Sequence, residues 1–207
     1  MLRPYRNVST NSVYGIIWVE AQMASVVSSL FTAFGLSSAS GLNAYIPLLI
    51  VALAARFTDW IKLDPPFDIL QNELVIGALV ILLIIETIVD KVPAADTLND
   101  LIQTFIRPAA GAILFAASTS VIHLNPVIAF IIGLILAFGV HATKATARPV
   151  VTATTGGLGN AFVSVGEDVV SASVSLVALV VPMLLALIFF LIVLWFLWRK
   201  GTRTSTA

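Results

Sequence analysis

Apolar runs follow one another along almost the whole chain, and no long polar block separates them. With 59% hydrophobic residues and a mean hydropathy of +1.03, it stands far above the roughly 45–50% apolar usage of soluble domains. Such a chain is an integral membrane protein. The fold class expected is all-α: a polytopic membrane helical bundle of about six apolar segments, in one domain over residues 23–200. Only 11% of residues are charged, so each ionisable group inside an apolar segment is a functional candidate.

Composition also excludes. Eleven basic and eleven acidic residues balance to zero, which gives no argument for nucleic acid. Cysteine is absent, so disulfide and thiolate chemistry are out. No block is long and polar enough to form a soluble catalytic domain. Residues 1–22 lack the apolar core and cleavage site of a secretory signal. They read as an N-terminal extension, with Met23 an alternative start, and residues 201–207 as a cytoplasmic tail.

The first two apolar runs, 23–36 and 44–57, each give roughly 21 Å of helix, short of the roughly 30 Å hydrocarbon core. Turn formers at 37–43 join them. Two readings stand: a short helical hairpin or re-entrant pair, or two short spans with a surface turn. Residues 56–73 form a polar connection, 74–92 a full span ended by Pro93. From Asp96 to Arg107 apolar residues recur every three or four positions, the pattern of an amphipathic helix lying in the interface. Pro108 restarts the chain into a helix to about 122. Residues 127–140 continue as a span, whose last turns carry His141, Lys144 and Arg148 at i, i+3 and i+7 before Pro149 stops it. Residues 150–162, rich in Thr and Gly, read as a second irregular segment. Ser164 and Glu167 fit a capping box opening the longest helix, about 167–198, with Trp195 and Trp198 as aromatic belt before Arg199 and Lys200.

Counting crossings puts the polar groups on one face of the membrane. Glu86 and Asp90, then Asp96 and Asp100, share the four-residue spacing of one helix face. With Lys91, Arg107, His141, Lys144, Arg148, Glu167 and Asp168, and with Asn43 and Asn160 from the two turns, they form the candidate substrate- or ion-binding set. Glu86 or Asp90 paired with Lys144 or Arg148 is the expected contact. The opposite face receives seven of the eleven basic residues, which places both termini in the cytoplasm of a plasma-membrane protein. His123 falls in a solvent-facing turn, and His141 is a proton-linked candidate. The competing reading is structural: ion pairs that knit helices together, with no ligand.

GLNAYIPLL (41–49), ETIVDKVPAAD (86–96), RPAAG (107–111), HATKATARP (141–149), TTGGLG (154–159) and VSVGED (163–168) occur in this order. In these the chain resembles a family of bacterial membrane proteins, closest to its actinobacterial branch and with plastid relatives, known only as a domain of unknown function. The resemblance runs from about residue 25 to 200. It implies a multi-helix membrane protein and carries over no site residue.

Three function classes remain. A small-solute or ion transporter, or channel-like permease, is favoured by two polar breaks at 37–43 and 154–160, in corresponding halves of the chain. A scaffold or subunit, homo-oligomeric or bound to another membrane protein, would use small residues such as Ala109 to Ala112 for packing. A lipid head-group transferase would hold Mg²⁺ on Glu86, Asp90, Asp96 and Asp100. No HExxH, GxSxG or P-loop occurs, so no catalytic residue is assigned, and outside the transferase reading no cofactor.

Overall fold

In the computed structural model, which describes residues 13–90 and 93–203, six α-helices carry the fold and no strand occurs among the described residues. They are α1 (Val13–Ser40), α2 (Tyr45–Phe57), α3 (Glu73–Val89), α4 (Pro93–Thr119), α5 (Pro126–Thr155) and α6 (Leu158–Arg203). Short 3₁₀ turns at Phe67–Gln71 and Ser120–Ile122 complete the connections. Lys91 lies outside the described residues, as do the side chains of Asp96, Trp198, Arg199 and Lys200.

The expected helical membrane bundle is what the chain forms, and four helices are long and apolar enough to span a bilayer: α1, α4, α5 and α6. Their boundaries follow from local chemistry. Asn72 and Asn125 accept from the first-turn amides of α3 and α5, Leu74 at 2.8 Å and Val127 at 2.9 Å. Pro126 follows at the first helical position, where a missing N–H is harmless. Gly156, at φ 62°, takes the left-handed conformation that closes α5.

Four expectations on element boundaries are corrected. α1 is 28 residues long, a full span, so only α2 of the first pair is short. α4 runs through Pro108 as one helix, and no separate interfacial helix precedes it. α5 runs through Pro149 to Thr155, so the irregular segment at 150–162 reduces to a tight turn at Gly156 and Gly157. α6 begins at Leu158, which leaves Ser164 and Glu167 inside a helix rather than capping one.

The side chains show why the breakers do not break. Thr152, Thr154 and Thr155 donate to the carbonyls of Arg148, Val150 and Val151 four residues back, at 3.0, 2.9 and 2.7 Å. Their hydroxyls are absorbed by the helix instead of competing with it. Pro182 inside α6 removes the N–H that would reach the carbonyl of Ala178. Thr32 of α1 supplies a donor instead, its Oγ1 lying 2.8 Å from that oxygen.

Packing is closest where residues are smallest. A Cβ on Gly111 of α4 would lie 2.4 Å from Ala137 Cβ, and one on Gly133 of α5 2.4 Å from the carbonyl of Gly111. Ser37 Oγ of α1 donates to the Gly111 carbonyl at 2.6 Å in the same spot. The small residues of 110–112 are thus spent inside the bundle. α1 and α6 run antiparallel, Ser171 bonding the Ala39 carbonyl at one level and Thr32 the Ala178 carbonyl at the next. The start of α1 and the end of α6 therefore leave from the same end of the bundle.

Candidate functional site

Two polar stripes face each other across α4 and α5, the most extensively packed helix pair. Asp100, Gln103 and Arg107 occur at i, i+3 and i+7 on α4, and His141, Lys144 and Arg148 repeat that spacing on α5. Gln103, Arg107, His141, Lys144 and Arg148 are buried, while Leu101, Ile102 and Phe105 of α4 are exposed. That is the reverse of an interfacial helix: its polar side turns to protein and its apolar side outward. The last turn of α3 and its C-cap residue add Glu86 and Asp90, and the second and third turns of α6 add Ser164, Glu167 and Asp168.

Arg107 sits at the centre with a side chain 0% exposed. Its Nη2 donates to Glu86 Oε1 at 2.9 Å, and Glu86 is 2% exposed. Its Nη1 lies 3.1 Å from His141 Nδ1 and 4.0 Å from Asp100 Oδ1. Arginine can only donate, so His141 Nδ1 accepts, and the ring proton belongs on Nε2. There it meets Thr104 Oγ1 at 3.0 Å, whose own proton goes to the Asp100 carbonyl at 2.8 Å. The histidine is held as one neutral tautomer.

Arg148 links three helices. Its Nη1 donates to Asp100 Oδ2 at 2.8 Å and its Nη2 to Ser164 Oγ at 2.8 Å, with Asp90 Oδ2 and Glu167 Oε2 each at 3.6 Å. Ser164 passes its proton to Asp90 Oδ2 at 3.2 Å, and Asn99 donates to Asp90 Oδ1 at 2.7 Å. Lys144 Nζ pairs with Glu167 Oε2 at 2.6 Å and lies 3.4 Å from the Leu42 carbonyl. The expected pairing holds for Asp90 with Arg148. Glu86, however, takes Arg107 of α4, and Lys144 takes Glu167 of α6.

Asn43 has a structural duty as well as a place in the cluster. Its Oδ1 accepts from the amides of Tyr45 and Ile46 at 2.9 and 3.1 Å, capping α2, and its Nδ2 donates to Asp168 Oδ1 at 2.8 Å. Asn160 stands apart from the cluster in the first turn of α6, bonded to Thr152. His123 is exposed at its turn, with φ 55°. Four residues at the cluster were not read as site residues from the sequence: Asn99, Gln103 and Thr104, which carried no signal of their own, and Ser164, whose local pattern matched a helix cap. Gln103 and Thr104 could have been found from their i+3 and i+4 spacing to Asp100.

The balance of charge is uneven. Among the described residues five carboxyls, on Glu86, Asp90, Asp100, Glu167 and Asp168, meet three fixed cations, on Arg107, Lys144 and Arg148. Asp168 has a neutral amide as its hydrogen-bond partner, and Glu86 Oε2 is buried without a hydrogen bond. Such atoms are where a proton or small cation would be most stabilised. Asp90 and Asp100, which a Mg²⁺ site would need, turn to Arg148 instead. Among the described residues no group of three or more His, Asp or Glu side chains is placed to hold a metal ion.

No curated protein and no solved structure matches the chain. A family model does, over residues 30–200, the greater part of the sequence and all of the cluster. The chain belongs to the family described as domain of unknown function DUF4126.

Proposed function

We propose that this membrane protein is a small-solute or ion permease whose buried charge cluster binds and passes a cation, the proton included. The observation that carries the reading is the surplus, among the described residues, of carboxyls over fixed cations in one largely buried cluster, with a Glu86 oxygen left without a hydrogen bond. The two interrupted helices that favour transport in the sequence are ordinary interhelical turns, so the reading rests on the cluster alone. The positive-inside count supports a plasma-membrane orientation with both termini cytoplasmic.

The test is flux. Chain reconstituted into liposomes should pass protons or a monovalent cation down an imposed gradient above empty liposomes. Asp168→Asn should keep the fold, since Asn43 can still donate to it, and cut that flux about tenfold, the effect of roughly 1.4 kcal/mol of lost binding. Glu86→Gln should abolish it. Wild-type flux no greater than that of empty liposomes, or equal flux in all three proteins, would remove the reading.

A scaffold or subunit role is the second reading, favoured by the ion pairs that tie α3, α4, α5 and α6 together. It predicts no flux, and a stoichiometric membrane-protein partner or second copy on purification. A Mg²⁺-dependent head-group transferase is weaker, because its carboxylates already face guanidinium groups.

A further inference from the structure

At the end of the bundle away from the charge cluster, a cleft of about 250 Å³ opens between α1, α4, α6 and the 58–72 connection. One wall is polar, with the hydroxyls of Ser28, Ser29 and Ser118, and the other is apolar, with Leu179 and Met183 of α6. Ser118 is only 7% exposed, and its Oγ is buried without a hydrogen-bond partner. A buried hydroxyl left so costs free energy unless something fills its place. Lys62 lines the same cleft, is exposed, and makes no ion pair among the described residues. Beside it Trp60 is exposed, as an aromatic at headgroup depth would be.

An unpaired cation, an unsatisfied hydroxyl and adjoining hydrocarbon together describe an amphiphile with an anionic head. Phosphate oxygens accept from an ammonium and from hydroxyls alike, and an acyl chain fits the exposed apolar face of α6 that carries Met183, Leu184 and Leu187. We propose that this cleft binds the phosphate head of an acidic membrane phospholipid, Lys62 holding the charge and Ser118 donating to it. The site is separate from the cluster and stands whether or not the chain transports anything.

The experiment compares melting temperatures of the full chain in nanodiscs of phosphatidylcholine and of phosphatidylcholine with phosphatidylglycerol. A lipid that binds only the folded state raises the melting temperature, by roughly 5 °C or more near saturation. Lys62→Gln should melt like wild type in phosphatidylcholine, since Lys62 is exposed, and lose the rise with phosphatidylglycerol. Ser118→Ala should keep only part of it. Equal melting in the two lipids, or a rise that Lys62→Gln retains, overturns the proposal. Inorganic phosphate producing the same rise in phosphatidylcholine, and losing it in Lys62→Gln, would replace the lipid with a free anion and overturn the assignment to lipid.

Discussion

Arg107 shows how much one residue can decide in an apolar chain. Its guanidinium is sealed from solvent and touches Glu86 and His141 from two other helices. Removing one member of such a pair leaves a buried charge without its partner, at a cost of about 3–5 kcal/mol, whereas removing both costs less. Denaturant unfolding in detergent should therefore show Arg107→Gln and Glu86→Gln each strongly destabilised, and the double variant less so than their sum. Arg56→Gln, whose partner Glu73 is largely exposed, should stay within about 1 kcal/mol of wild type. Simple additivity of the two buried changes would mean that the pair is not coupled. At this scale the sequence was informative where spacing exposes a face. Glu86 with Asp90, and His141 with Lys144 and Arg148, could be read because helical repeats place them together. Which acid meets which base was not legible, since that depends on the level at which helices cross. Ser164 misled for a related reason: its local pattern matches a cap, and only packing against Arg148 shows its use.

Elements were harder to read wherever proline, glycine or threonine interrupts an apolar run. Each breaker was read by its cost to an isolated helix, and in the bundle a neighbour offsets that cost. Pro182 is the clearest instance, because the donor that replaces its missing N–H can be named. Thr32→Val leaves the Ala178 carbonyl without that hydroxyl and should lower stability by about 1 kcal/mol. Pro182→Ala restores the N–H within α6, so the double variant Thr32→Val with Pro182→Ala should recover most of that loss in the same unfolding measurement. If the second change gives no recovery, the hydroxyl of Thr32 matters for packing and not for the orphaned carbonyl. The same logic explains α4. Its amphipathic pattern was correctly seen, but a polar stripe suits a membrane surface or a polar neighbour equally well. The matching basic stripe on α5 selects the neighbour.

The whole molecule has two distinct ends, and the absence of cysteine makes them easy to address. The 58–72 connection and the turn at 120–125 lie together, since Ser120 Oγ bonds Asp64 Oδ2 at 3.2 Å. The α5–α6 turn at Gly156 and Gly157 lies beyond the charge cluster at the other end. That two-ended arrangement follows from the number of crossings and was legible in the sequence, whereas the compartment facing each end rests on the distribution of basic residues. Single cysteines at Asp68 and at Thr154, both exposed, separate the two. In intact cells a membrane-impermeant thiol reagent should label Thr154→Cys and spare Asp68→Cys, and in inverted vesicles the pattern should reverse. Labelling of both from one side would contradict the helical crossings themselves. A clean pattern of opposite sense would keep the fold, reverse the orientation, and put the charge cluster nearer the cytoplasmic face. A cation held there would then be exchanged with the cell interior first, so the labelling fixes the direction in which the flux of the reconstituted protein must be read.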